Sequence, residues 1–145
     1  MQKMVKQTTR NSVRIEKERE EEQKEKEENK VLYKTPDENT RDMITLFQDY
    51  LEDTSKIPEH IDKMATEYIV VEDLDQLEQG RYIRWIKNGV LVRGGHIVGI
   101  SNENGNDMVL CKTSNHIMQK FRFDECPCFQ KLNMFEQWYF LNSDK

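Results

Sequence analysis

Residues 16–30 read EKEREEEQKEKEENK, a run of eight glutamates and five lysines or arginines without one apolar side chain. A helix packed on a core needs an apolar stripe, and a coiled coil needs an apolar seam; this segment has neither. Glu20 with Lys24, Glu22 with Lys26 and Glu27 with Lys30 stand at helical spacing. Each such pair adds only about 0.2–0.5 kcal/mol, and like-charge neighbours such as Glu18 and Glu22 subtract similar amounts. Residues 1–34 are therefore expected to be a charged arm, helical or disordered alone, that orders on partners. Lys3, Lys6, Arg10 and Arg14 precede the run with no acid among residues 1–14, and suit an acidic partner surface.

The charge is segregated along the chain. Residues 1–42 hold eleven acids and eleven bases, so the net −5 arises entirely from Met43 onward, with sixteen acids and eleven bases. A uniformly basic nucleic-acid binder is not expected, although a local basic patch is compatible with this balance. Runs such as Tyr68-Ile69-Val70-Val71 fall far short of the roughly 20 apolar residues that span a bilayer, so no membrane span is expected. The basic start has no apolar stretch after it, and no secretory signal is expected. The three cysteines, Cys111, Cys126 and Cys128, are an odd count that fits reduced thiols in a reducing intracellular compartment better than a disulfide framework.

Over 35–68 the pattern predicts a short helical pair. Thr35-Pro36-Asp37-Glu38-Asn39 reads as a linker. Asn39 or Thr40 is expected to cap a helix whose apolar face carries Met43, Ile44, Leu46, Phe47, Tyr50 and Leu51. Pro58, favoured in a first turn, opens a second helix expected to bury Ile61, Met64 and Tyr68.

Over 69–145 the period changes. RYIRWIK alternates, with Tyr82, Arg84 and Ile86 on one face and Ile83 and Trp85 on the other. Asn88-Gly89 is a tight-turn dipeptide. Gly94-Gly95 opens HIVGIS, and Asn102–Asn106 make a second turn before MVLCKT and HIMQKFRF. Four or five short strands on tight loops, with the helices before them, predict an α+β chain ending in a small SH3-like or OB-like antiparallel β-barrel. The aromatic C-terminal segment, with Leu132, Phe135, Trp138 and Tyr139 at helical spacing, reads as a closing helix or a strand.

No residue set announces a reaction. Cys126-Pro127-Cys128, with Cys111, His96 and His116, lacks the paired knuckles of structural zinc, and packing in a small core explains the thiols. Ser114 and His116 have no nucleophile elbow around them, Glu59-His60 lacks the second histidine of a zincin, and Gly94-Gly95 matches no nucleotide loop. No enzyme, metal or cofactor is expected. Two binding surfaces are. Phe135, Trp138, Tyr139 and Phe140 either complete the core or anchor a protein partner, since Trp and Tyr dominate interface hot spots. The alternative is single-strand nucleic-acid binding by Arg81, Tyr82, Arg84, Trp85, Lys87 and Arg93, which interleave cations with stacking rings. The upstream acids between Glu67 and Glu78 weigh against that alternative.

The stretch LEQGRYIRWIKNGVLVRGGHIVGI (77–100) carries a Leu-x-x-Gly-x-Tyr-Ile-Arg-Trp-Ile pattern, a short turn, and Leu-x-x-Gly-Gly-x-Ile. Over about residues 72–132 it resembles small barrel-like structural proteins, of the minor capsid type, of nucleocytoplasmic large DNA viruses. The resemblance implies a structural role in a virion assembled in the host cytoplasm. It also implies partners among other structural proteins of a large assembly, with homo-oligomers possible, and no catalytic residues.

Overall fold

The computed structural model describes residues 33–142; the arm with Lys3, Lys6, Arg10 and Arg14 lies outside them. Residues Lys34–Lys145 cluster as one compact unit. Among the described residues three α-helices, α1 (Pro36–Tyr50), α2 (Ile57–Met64) and α3 (Met134–Asn142), accompany seven strands. These are β1 (Tyr68–Val70), β2 (Tyr82–Lys87), β3 (Val90–Leu91), β4 (Gly95–Glu103), β5 (Asn106–Lys112), β6 (Met118–Arg122) and β7 (Cys128–Lys131). The expected α+β class is the observed one.

The stretch read as a linker is the start of α1. Thr35 is the N-cap, its hydroxyl accepting from the Glu38 N–H at 3.2 Å, and Pro36 begins the helix with Asp37 and Glu38 in the first turn. Proline is suited to that position because its missing N–H would have no helical partner, and acids there face the positive end of the helix dipole. Asn39 is thus no cap. It is fully buried, and its side chain bonds the backbone of β1, accepting from the Val70 N–H at 2.8 Å and donating to the Tyr68 carbonyl at 2.8 Å. Tyr68 likewise is not helical: α2 ends at Met64, and Tyr68 opens β1.

All ladders are antiparallel, in the order β1-β7-β2-β4-β5-β6, with β3 paired to β2. The Asn88-Gly89 turn between β2 and β3 has φ of 52° and 78°, and Asn104-Gly105 between β4 and β5 has 54° and 84°. Those left-handed pairs match the strand twist of two-residue hairpins. Among the described residues the path is open, ending at β1 and β6, and no ladder closes the expected barrel. The sheet is nevertheless strongly curled. Trp85 of β2 stacks on Phe121 of β6 with ring centroids 4.5 Å apart, although two strands lie between them and a flat sheet would separate them by about 14 Å. The bulge between Ile97 and Gly99 in β4 contributes to that bend.

Two cores result, on opposite faces of one wall. Inside the curl lie Ile83, Trp85, Ile97, Val109, Cys111 and Phe121. On the other face, Met43 and Phe47 of α1 and Met64 of α2 pack on Tyr68, Val70, Ile86 and Phe129. The alternation expected in RYIRWIK is present, but Arg84, which the nucleic-acid reading needs open to solvent, is not on an open face. It is half-buried beneath α2, its Nε donating to the Val92 carbonyl at 2.9 Å and its Nη1 lying 3.5 Å from the Met64 sulfur.

Candidate interaction surfaces

The C-terminal aromatic segment is a helix, and its start is built by side chains. Asn133 Oδ1 accepts from the Glu136 N–H, while Glu136 Oε1 accepts from the Asn133 N–H, both at 2.8 Å. This reciprocal pair satisfies two backbone donors at the helix N-terminus, as a capping box does. Glu136 also receives the Arg81 guanidinium in a two-pronged ion pair, the Nη2–Oε2 contact being 3.1 Å. Arg81 further reaches Glu78 at 3.0 Å and the Lys131 carbonyl at 3.3 Å. Burial alone would lower the Arg81 pKa, but its bonds and charge attraction to Glu136 and Glu78 outweigh that and hold it above the ordinary arginine value.

This anchoring decides which face of α3 is left to solvent. Glu136 and Phe140 are buried, whereas Met134 (88%), Phe135 (55%), Trp138 (62%), Tyr139 (45%) and Leu141 (55%) remain exposed. At 100° per residue these five span an arc of roughly 160°, and the only polar member within it is Asn142. Of the four aromatic residues expected to act together, Phe135, Trp138 and Tyr139 share the open face; Phe140 belongs to the core. Met134 and Leu141 extend the face and were not singled out by the sequence, because polar Glu136 marks the side that a helix ordinarily turns to solvent.

The six residues of the nucleic-acid reading are not gathered into one surface. Trp85 is 2% exposed and stacked within the core, so its ring faces are not available to bases. Arg81 is committed to α3, and Arg84 to the Val92 carbonyl and the Met64 sulfur of α2. The Tyr82 hydroxyl donates to the Arg93 carbonyl at 2.8 Å, and its ring meets His96 edge-on. Only the Lys87 and Arg93 side chains stand exposed.

The cysteine and histidine candidates are also scattered. Cys111, Cys126 and Cys128 are buried free thiols, while His96 and His116 lie on the surface. Among the described residues no group of three or more His, Cys, Asp or Glu is placed to hold a metal ion. Burial pushes the Cys111 thiol up to about 12 and raises Cys126 and Cys128 as well. That shift opposes thiolate chemistry. Ser114 and His116 share a surface turn in which the His116 N–H bonds the Thr113 carbonyl at 3.0 Å.

Among the described residues no helix is long and apolar enough to cross a membrane. No protein-family model, curated protein or solved structure matches the chain.

Proposed function

We propose that this chain is a non-enzymatic structural or interaction protein that enters a larger assembly through the open face of α3. The observation that carries the reading is the set Met134, Phe135, Trp138, Tyr139 and Leu141, exposed together on a helix whose opposite side is tied down by Arg81 and Glu136. The largest contiguous apolar patch on a protein surface is often its interaction site. The α3 rings are rigid, so little side-chain entropy is lost when a partner covers them. The resemblance of residues 77–100 gives this assembly a setting: a minor capsid-type protein of a large DNA virus, in a virion built in the host cytoplasm, beside other structural proteins. The curl of the sheet around Trp85 and Phe121 supports an SH3-like or OB-like half-barrel as the finer description of the domain.

Cross-linking mass spectrometry on native source material, repeated with Trp138→Glu, tests this. Cross-links from the α3 region to other structural proteins, lost in the variant while its melting temperature is kept, are the expected result. Equal incorporation of the variant removes α3 as the docking surface. A steep salt-dependent isotherm with an oligonucleotide would transfer support to single-strand binding through Lys87 and Arg93.

A further inference from the structure

The two edges of the sheet are treated differently. An edge strand presents unpaired backbone groups, and proteins block such edges. At β1 the outward groups are the Tyr68 carbonyl and the Val70 N–H, and the Asn39 side-chain amide occupies both. It stands where a further strand would run.

At β6 nothing equivalent is present among the described residues. The Thr113 N–H donates to the Ile117 carbonyl and the Phe123 N–H to the Asp107 carbonyl. With the β5–β6 register, those bonds turn residues 117, 119, 121 and 123 toward β5. Met118, Lys120 and Arg122 therefore direct their backbone groups outward. The Arg122 carbonyl is taken by the N–H groups of Glu125 and Cys126. The N–H and carbonyl of Met118 and Lys120, and the Arg122 N–H, are left along this edge, and Lys120 and Arg122 line a cleft of about 380 Å³ together with the Lys87–Gly89 turn.

We propose that β6 is a strand-addition site, filled by an extended segment of another protein that lies in this cleft and continues the sheet. The backbone specifies an extended guest of about five residues, because alternate outward groups at 118, 120 and 122 match a strand's own repeat. The charge specifies an acid on it. Lys120 is paired with Glu103, and Arg122 with Asp124 and Glu125, whereas Lys87 in the cleft has no ion-pair partner among the described residues. Tyr50 and Met108 supply apolar contact beside it. A second copy of β6 is a poorer occupant: the two-fold register that uses all three outward residues sets Lys120 against its own copy.

The test uses the full chain and, as probe, a fluorescein-labelled peptide of about seven residues alternating valine and glutamate. Its fully N-methylated counterpart cannot donate to a ladder. Saturable binding, at least tenfold weakening by N-methylation, and slowed exchange of the Met118 and Lys120 amides are expected. Lys120→Pro removes an outward donor without touching the β5 ladder, and should weaken binding at least tenfold. Lys87→Glu should weaken it several-fold, and Trp138→Glu should leave it unchanged. If Lys120→Pro does not fold, amide exchange on the unaltered chain decides. Absence of binding up to millimolar peptide, equal binding of the N-methylated probe, or unprotected Met118 and Lys120 amides overturns the proposal. Protection that rises with protein concentration without peptide overturns it in favour of a second copy.

Discussion

Arg81 at the entry to β2 and Glu136 in the first turn of α3 meet across fifty-five positions of sequence, and the same carboxylate caps its own helix. Glu136→Ala therefore removes an ion pair and a cap together. The expected loss is about 3 kcal/mol, the lower end for a buried pair because Arg81 keeps Glu78. Denaturant unfolding measures it. A loss below the error of the measurement would mean that α3 is held by Phe140 alone.

Trp85→Ala and Phe121→Ala should each cost about 3–5 kcal/mol, as large-to-small changes in a packed core do. Because the rings stack on each other, the double variant should cost less than the two single losses added. Additive losses would show that the contact across the curl contributes nothing of its own.

Asn39→Ala leaves the Val70 N–H and the Tyr68 carbonyl without the amide that satisfied them, at a cost of about 2–4 kcal/mol. Asn39→Asp keeps the acceptor but turns a buried carboxylate onto the Tyr68 carbonyl, so it should cost at least as much as alanine at neutral pH. Denaturant unfolding of both variants checks the order.

The buried thiols give a pH dependence of defined sign. The Cys111 pKa stands at about 12 in the folded chain against 9.0 ordinarily, and burial raises Cys126 and Cys128 too. Above the ordinary value the unfolded chain has released protons that the folded chain retains, so stability falls as pH rises. This contribution is fully present below about pH 9 and disappears progressively toward pH 12. Melting temperatures between pH 8 and 11 should decline, less steeply in Cys111→Ala than in the unaltered protein.

Gly94 sits at φ +90°, and a Cβ there would run into the Ile83 carbonyl. Gly94→Ala should lose several kcal/mol through both strain and clash, whereas Gly105→Ala, with open space around it, should lose about 1 kcal/mol. Paired thermal melts check the contrast.

What the sequence discloses here is local, and what it conceals depends on remote partners. RYIRWIK and Asn88-Gly89 are legible because a period of two and a left-handed turn dipeptide act within a few residues. Thr35-Pro36 carried a helix-start signal too; reading proline as an interruption misplaced the cap. Tyr68 gave no warning, since β1 is three residues long and buried on both faces. The surface of α3 was the least legible. Its polar Glu136 turns inward and its aromatics outward, the reverse of ordinary patterning, because Arg81 supplies a partner that no local window contains.

The placement of β2 between two cores has a further consequence, for how the molecule comes apart. Ile83 and Trp85 belong to one core, Tyr82 and Ile86 to the other, and all four hang from six consecutive residues of backbone. Releasing α1 and α2 would strip one side of β2; opening the curl would strip the other. Neither core is therefore expected to open without loosening the other, and the two should be lost in one cooperative step.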